Sequence, residues 1–300
     1  MSARYYPFLR GKQFDLLALK ELCLNGLLSP SVIPVIEPVK SSKTLFQIVA
    51  LMEKQGQPFY LIDNPRAGDF LTETGLEELG RLAKGHRSHI LNEPLSLESP
   101  TTSLSSEPPV LWIADSAAPL KESDPESIRQ SCFLAAPEFR ILRLLKHSQK
   151  VVVSQDPFTR LPRNSYYREA ADELFYGDLC EQNDWEISDF LMDSRIYYEQ
   201  RYPDRDLCLH LSYQEEKNQL RVRHFASPQD PEAAVRSQKE KFLLLMTEVQ
   251  EFFSQRPATA GLQLLFNAHT EGRFPGMGVL RKAAVMHHLQ TMSRIVEDNQ

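Results

Sequence analysis

Four cysteines, Cys23, Cys132, Cys180 and Cys208, are scattered through 300 residues with no CxxC pair. That spacing excludes a zinc ribbon or a disulfide framework and fits a reducing cytoplasm. Long hydrophobic runs are missing too. No stretch approaches the ~18 apolar residues of a membrane span, and Met1-Ser2-Ala3-Arg4-Tyr5-Tyr6 lacks the apolar core of a signal peptide. Positive charge is in deficit, with a net charge of −6 and a pI near 5.8. Broad, non-specific DNA binding is therefore not expected, although a local basic patch remains open. GxGxxG after the first strand, Walker A, GxSxG and HExxH are all absent, which removes the usual signatures of dinucleotide binding, P-loop chemistry, serine nucleophiles and zinc proteolysis.

What the chain does have is a repeated design. Val32-Ile33-Pro34-Val35-Ile36-Glu37-Pro38 is a short apolar run that ends in an acid and a proline. The runs ending at Asp63, Glu93, Asp115 and Asp156 repeat it. Each reads as a strand buried on both faces, as in a parallel sheet. Segments with helical spacing lie between them: 14–23, 45–54 and 75–84, then a weaker one at 125–132. Residues 5–9 predict a first strand, and 185–190 a short one with less support. Residues 139–145 fit helix or strand, and 164–174 read as helix.

Residues 95–109 are rich in Ser, Thr and Pro and read as a flexible surface loop rather than a domain linker. Later, 207–213 and 220–225 alternate apolar and polar residues, which predicts a β-hairpin with one wet face. The pattern predicts a helix over 233–253, a last strand at 262–266 and a closing helix over 279–296.

Strands alternating with helices specify βα units. About eight of them fit a single-domain α/β fold spanning 1–300: a (β/α)8 TIM-barrel-like domain with a late inserted β-hairpin and a C-terminal helix. An open doubly wound sheet is the alternative. In a closed barrel the 5–9 strand must pair with a late strand, expected in 220–225 or 262–266, because closure leaves no free edge.

Several stretches also resemble the bacterial and phage "beta protein" family: Tyr6-Pro7-Phe8-Leu9-Arg10-Gly11-Lys12-Gln13-Phe14, Ile33-Pro34-Val35-Ile36-Glu37-Pro38, Asn64-Pro65 with Gly68-Asp69, Leu220-Arg221-Val222-Arg223-His224-Phe225 and Arg273-Phe274-Pro275-Gly276-Met277-Gly278 with Met286-His287-His288. Relatives carry a glycine-bracketed Asp-aromatic segment; Glu186-Ile187-Ser188-Asp189-Phe190 keeps the Asp and the aromatic but lacks the glycines. The resemblance implies an accessory or interaction component of a phage-conflict system, defence or mobile element, acting in the cytoplasm with a protein partner.

The residues themselves raise a second reading. Carboxylates at strand C-terminal ends lie where barrel enzymes keep their active sites. Glu37, Asp63 and Asp156 are the catalytic candidates, able to hold Mg2+ through oxygen or to work as an acid/base pair. Arg10, Lys12 and Gln13 at the first strand–helix turn, with Arg223 and His269, are candidates for gripping an anion. Such a site would act on a phosphorylated or nucleotide-like substrate. His287 and His288 are adjacent and point ~100° apart on a helix, which suits packing better than joint metal ligation.

Overall fold

The computed structural model describes residues 3–96, 110–178, 186–196, 204–215, 219–228 and 236–299. Most of the expected 95–109 loop, and the join within the hairpin, lie outside the described residues.

The chain begins with β1 (Arg4–Leu9), α1 (Gln13–Leu24), β2 (Val35–Ile36), α2 (Lys43–Gln55), β3 (Tyr60–Ile62), α3 (Glu73–Leu82) and β4 (Arg87–Ile90). Next come β5 (Leu111–Ala114), α4 (Ala117–Glu122), α5 (Pro125–Arg129), β6 (Cys132–Ala135), α6 (Phe139–Leu144) and β7 (Lys150–Ser154). Then β8 (Asp172–Asp178), β9 (Glu186–Asp189), β10 (Cys208–Gln214) and β11 (Gln219–Ala226) precede α7 (Gln238–Phe253), α8 (Ala260–Thr270) and α9 (Met277–Asp298).

Strands β1 to β7 and β9 pair in parallel and close into a barrel, β9 returning to β1. All five acid-terminated runs supply strands of this one sheet. Alternation gives each strand two apolar faces. Tyr6, Phe8, Val35, Ile62, Ile90, Ile113, Leu134 and Val152 fill the interior. Tyr5, Leu9, Ile36 and Leu61 face outward into the layer beneath the helices. The apolar runs are continuous rather than alternating because both faces are covered.

Helix boundaries follow local chemistry. Ser42 caps α2 by accepting from the Leu45 N–H, and Gly56 ends it in the left-handed region. Ser237 and Glu240 form a capping box on α7. Two glycines draw the strand–helix loops together at the C-terminal end of the barrel. A Cβ on Gly11 would lie 2.8 Å from the Glu37 carbonyl oxygen, and one on Gly68 would lie 2.0 Å from that of Val39; both residues have positive φ.

Several expectations need correction. Strand β6 is absent from the sequence reading: no acid ends it, and the predicted 125–132 helix overran its start. The helix expected over 164–174 is a short 3-10 turn, Asn164–Arg168, followed by β8. The last strand expected at 262–266 is part of α8. Barrel closure is made by β9, not by 220–225 or 262–266.

The predicted hairpin exists as β10 and β11, and β8 adds to the other edge of β11 in a second, antiparallel sheet. Both faces of that sheet carry buried side chains, although Leu174 of β8 stays exposed. Phe175, Leu220 and Val222 join the barrel core, while Leu209, Leu211, Tyr213 and Phe225 pack with α7 and α8. Helix α9 lies against α1 and β10 and completes the helical ring. Among the described residues, no helix is long and apolar enough to cross a membrane.

Candidate functional site

Residue parity decides what reaches the barrel mouth. Phe8, Ile113, Leu134 and Phe190 form an apolar floor, and Arg10, Arg66, Asp115 and Ser154 stand around it. The crevice between them holds about 10 Å3 of space, on the scale of one water molecule. Asp156 lies two residues beyond Ser154 on the rim, accepting from Ser194 Oγ at 2.9 Å and from the Arg195 N–H at 3.1 Å.

Arg10 and Glu37 are both buried and form an ion pair, Nη1 to Oε2, at 2.6 Å. The Arg10 guanidinium lies near the Phe8 and Phe190 rings, 5.3 and 5.8 Å from their centroids. It also donates to the backbone carbonyls of Ser194 and Arg195. The second Glu37 oxygen accepts from the Arg66 N–H at 2.9 Å. Each carboxylate oxygen thus accepts a hydrogen bond within the protein. The Arg66 side chain reaches across to Asp115, Nη2 to Oδ2, at 2.6 Å.

Asp63 does not join the mouth. Ile62 points into the barrel, so Asp63 turns outward, toward the outward residues of β4. Its Oδ2 accepts from Arg87 Nε at 2.8 Å and Nη2 at 2.6 Å, and its Oδ1 faces His89 Nδ1 at 2.6 Å. Asn64 Oδ1 accepts from the Ile90 N–H, which fixes its amide so that Nδ2 donates to His89 Nε2 at 3.0 Å. His89 therefore carries its proton on Nδ1. Burial pushes the Asp63 carboxyl up, but contacts with His89 and Arg87 outweigh it and hold the group below its ordinary value.

The anion candidates divide likewise. Lys12 pairs with Asp193 at 3.2 Å, and Arg160 and Arg281 reach the same carboxylate at 3.2 and 3.3 Å. Burial raises Asp193, while the Arg281 and Lys12 charges more than offset it and keep it ionised. Arg281 also grips Asp15 at 2.6 Å, tying α9 to α1. Gln13 is exposed at the start of α1. Arg223 lies on β11 of the expected hairpin, 5.7 Å from the Phe252 ring centroid, with its Nε buried and unsatisfied. His269 is a correction: it sits in the last turn of α8, not after a barrel strand. No hydrogen bond or ion pair joins its ring to the mouth among the described residues.

The sequence reading gave Asp189 no partners. It is fully buried on the outer wall of β9. Tyr5 Oη donates to Oδ1 at 2.7 Å, Tyr176 Oη to Oδ2 at 2.8 Å and the Leu191 N–H to Oδ1 at 2.7 Å. His288 Nε2 lies 2.9 Å from Tyr5 Oη, and His288 Nδ1 lies 3.1 Å from Ser212 Oγ. Burial drives the Asp189 carboxyl up to about 6 despite these donors. The chain of bonds joins barrel, α9 and second sheet. The Asp-aromatic wording was the one visible signal.

Among the described residues, no three His, Cys, Asp or Glu side chains gather so as to hold a metal ion. The arrangement at the mouth is a short ion-paired crossbar over an apolar floor, suited to exchanging one anion for another. No family model, curated protein or solved structure matches the chain.

Proposed function

We propose that the barrel mouth binds a small phosphorylated or nucleotide-like ligand, with Arg66 taking its anionic group. The Arg66–Asp115 crossbar carries this reading. Its side chains are 43% and 22% exposed, whereas Arg10 and Glu37 are 7% and 2% exposed. An exposed pair contributes about 0–1 kcal/mol, so a ligand anion can take Arg66 from Asp115 at small cost. Breaking a buried pair costs about 3–5 kcal/mol, so Arg10 and Glu37 stay in place as the wall. Exchange opens the crevice and frees the Asp115 carboxylate above Phe8, Ile113 and Phe190. Asp115 and the rim carboxylate Asp156 are then the groups available for acid/base work on a bound substrate.

Calorimetric titration with inorganic phosphate and with nucleoside monophosphates tests this. Arg66→Ala should reduce affinity at least tenfold. Asp115→Asn should raise it, because the internal competitor for Arg66 is weakened. A folded protein that binds none of these anions overturns the reading. The partner-binding role in a phage-conflict system, which the family resemblance implies, would then be the proposal left standing.

A further inference from the structure

Helix α6 is held to the barrel by Ile141, buried with Leu145 in the layer beneath α4 and α5. Everything else distinctive about this segment faces water. Phe139 is 77% exposed, the highest value among the exposed large hydrophobic side chains of the described residues. Arg140, Arg143 and Lys146 are exposed, and none makes a hydrogen bond or ion pair among the described residues. Arg140 and Arg143 are three apart on the helix, with Cβ atoms about 5–6 Å apart, and Lys146 lies in the turn just past the end of α6. The exposed Glu138 leaves the turn with two positive charges in excess, in a chain whose net charge is −6.

This arrangement is specific in what it fits. One flat, unengaged ring beside two cations at one-turn spacing, with a third in the following turn, suits the alternation of base and phosphate along a single strand. Aromatic stacking with backbone cations is how single-stranded nucleic acid is held without sequence readout. A membrane surface would call for a broader apolar face, whereas here Ile141 and Leu145 turn inward. A duplex offers phosphates but no splayed base. We propose that the 139–146 turn binds single-stranded nucleic acid, a base stacking on Phe139 and adjoining phosphates meeting Arg140, Arg143 and Lys146. Helix α6 begins just after the C-terminal end of β6, so a strand held there lies on the mouth side of the barrel. The proposal does not rest on ligand binding at the mouth.

The test is fluorescence anisotropy with labelled 20-nucleotide oligo(dT) and oligo(rU), on the whole protein. Three neutralised phosphates give a log–log salt slope of about −2, hence about sixteenfold weaker binding at 200 than at 50 mM salt. Phe139→Ala should weaken binding about 5- to 150-fold with an unchanged Tm, the range for one stacked base. Arg143→Glu should weaken it further and flatten the salt slope. Arg66→Ala should leave it unchanged, separating this surface from the mouth. Absence of binding at 50 mM salt overturns the proposal, as does affinity unchanged in Phe139→Ala or equal for a duplex. Binding to phosphatidylserine vesicles that requires Phe139, with none to the oligonucleotides, would assign the patch to a membrane and also overturn it.

Discussion

Arg10 and Lys12 are two residues apart, yet burial gives them different energetic weight. The Arg10–Glu37 pair is buried, and removing the Glu37 charge takes the counter-ion at 2.6 Å from a guanidinium that lies beside the Phe8 and Phe190 rings. Glu37→Gln should therefore lower stability by about 3 kcal/mol, seen as a shift in the urea midpoint with an unchanged m-value. Lys12 is about one-third exposed, and Asp193 keeps Arg160 and Arg281 when it is removed. Lys12→Ala should change stability by less than about 1 kcal/mol. Equal effects of the two substitutions would contradict the burial argument. Asp63 gives the complementary lesson. Its acid-then-proline neighbourhood matches that of Glu37, but one step of strand parity turns it to the outside.

At the scale of elements, β9, α9 and β10 carry the buried titratable groups and so set the pH response. His287, His288 and His210 lie well below the ordinary 6.5, at about 4, about 3 and about 3, chiefly because burial disfavours the charged ring. The unfolded chain binds more protons at these sites. Their stability is present above pH 6.5 and is lost as pH falls toward 3–4. Asp189 runs the opposite way. Its folded value of about 6 lies above the ordinary 3.8, so its contribution is greatest below 3.8 and is lost as pH rises through 6. At pH 5 each histidine has given up on the order of 2 kcal/mol, while Asp189 has returned about 1. Tm should fall between pH 7 and pH 5, and Asp189→Asn should steepen the fall by removing the opposing contribution. An identical slope in that variant would sink the raised Asp189 value.

For the whole molecule, α9 links its two sheets. Its buried face includes Val285, Met286, Leu289, Met292, Ile295 and Val296 in the barrel-side core, while Leu280 and Ala283 belong to the core shared by α7, α8 and the second sheet. Six such side chains at about 1.5–3 kcal/mol each match or exceed the 5–15 kcal/mol stability of an ordinary domain. Deleting residues 277–300 should therefore abolish cooperative unfolding of the barrel as well as of the second sheet, measured by circular dichroism on heating. A truncated chain that keeps a sharp barrel transition would show that the barrel stands without α9.

The barrel was legible because its cause is local. Apolar runs of strand length, each ended by an acid and followed by helical spacing, specify βα units whichever neighbours they later find. The five acid-ended strands and the β10–β11 hairpin follow from period and order alone. Barrel closure was not legible. Glu186-Ile187-Ser188-Asp189 is short and polar, and it forms a strand because β1 and β7 present free edges on both sides of it. The stretch 262–266 is apolar enough for a strand, but α9 and the second sheet offer it a helix-shaped groove instead. The composition of the mouth was decided the same way. Whether a strand-end carboxylate faces the mouth or the outer wall, and which cation neutralises it, depends on parity and on residues distant in the chain: Arg66 for Asp115, Arg87 and His89 for Asp63. Such pairings arise only when the sheet closes, because no local spacing encodes the distance between side chains on different strands.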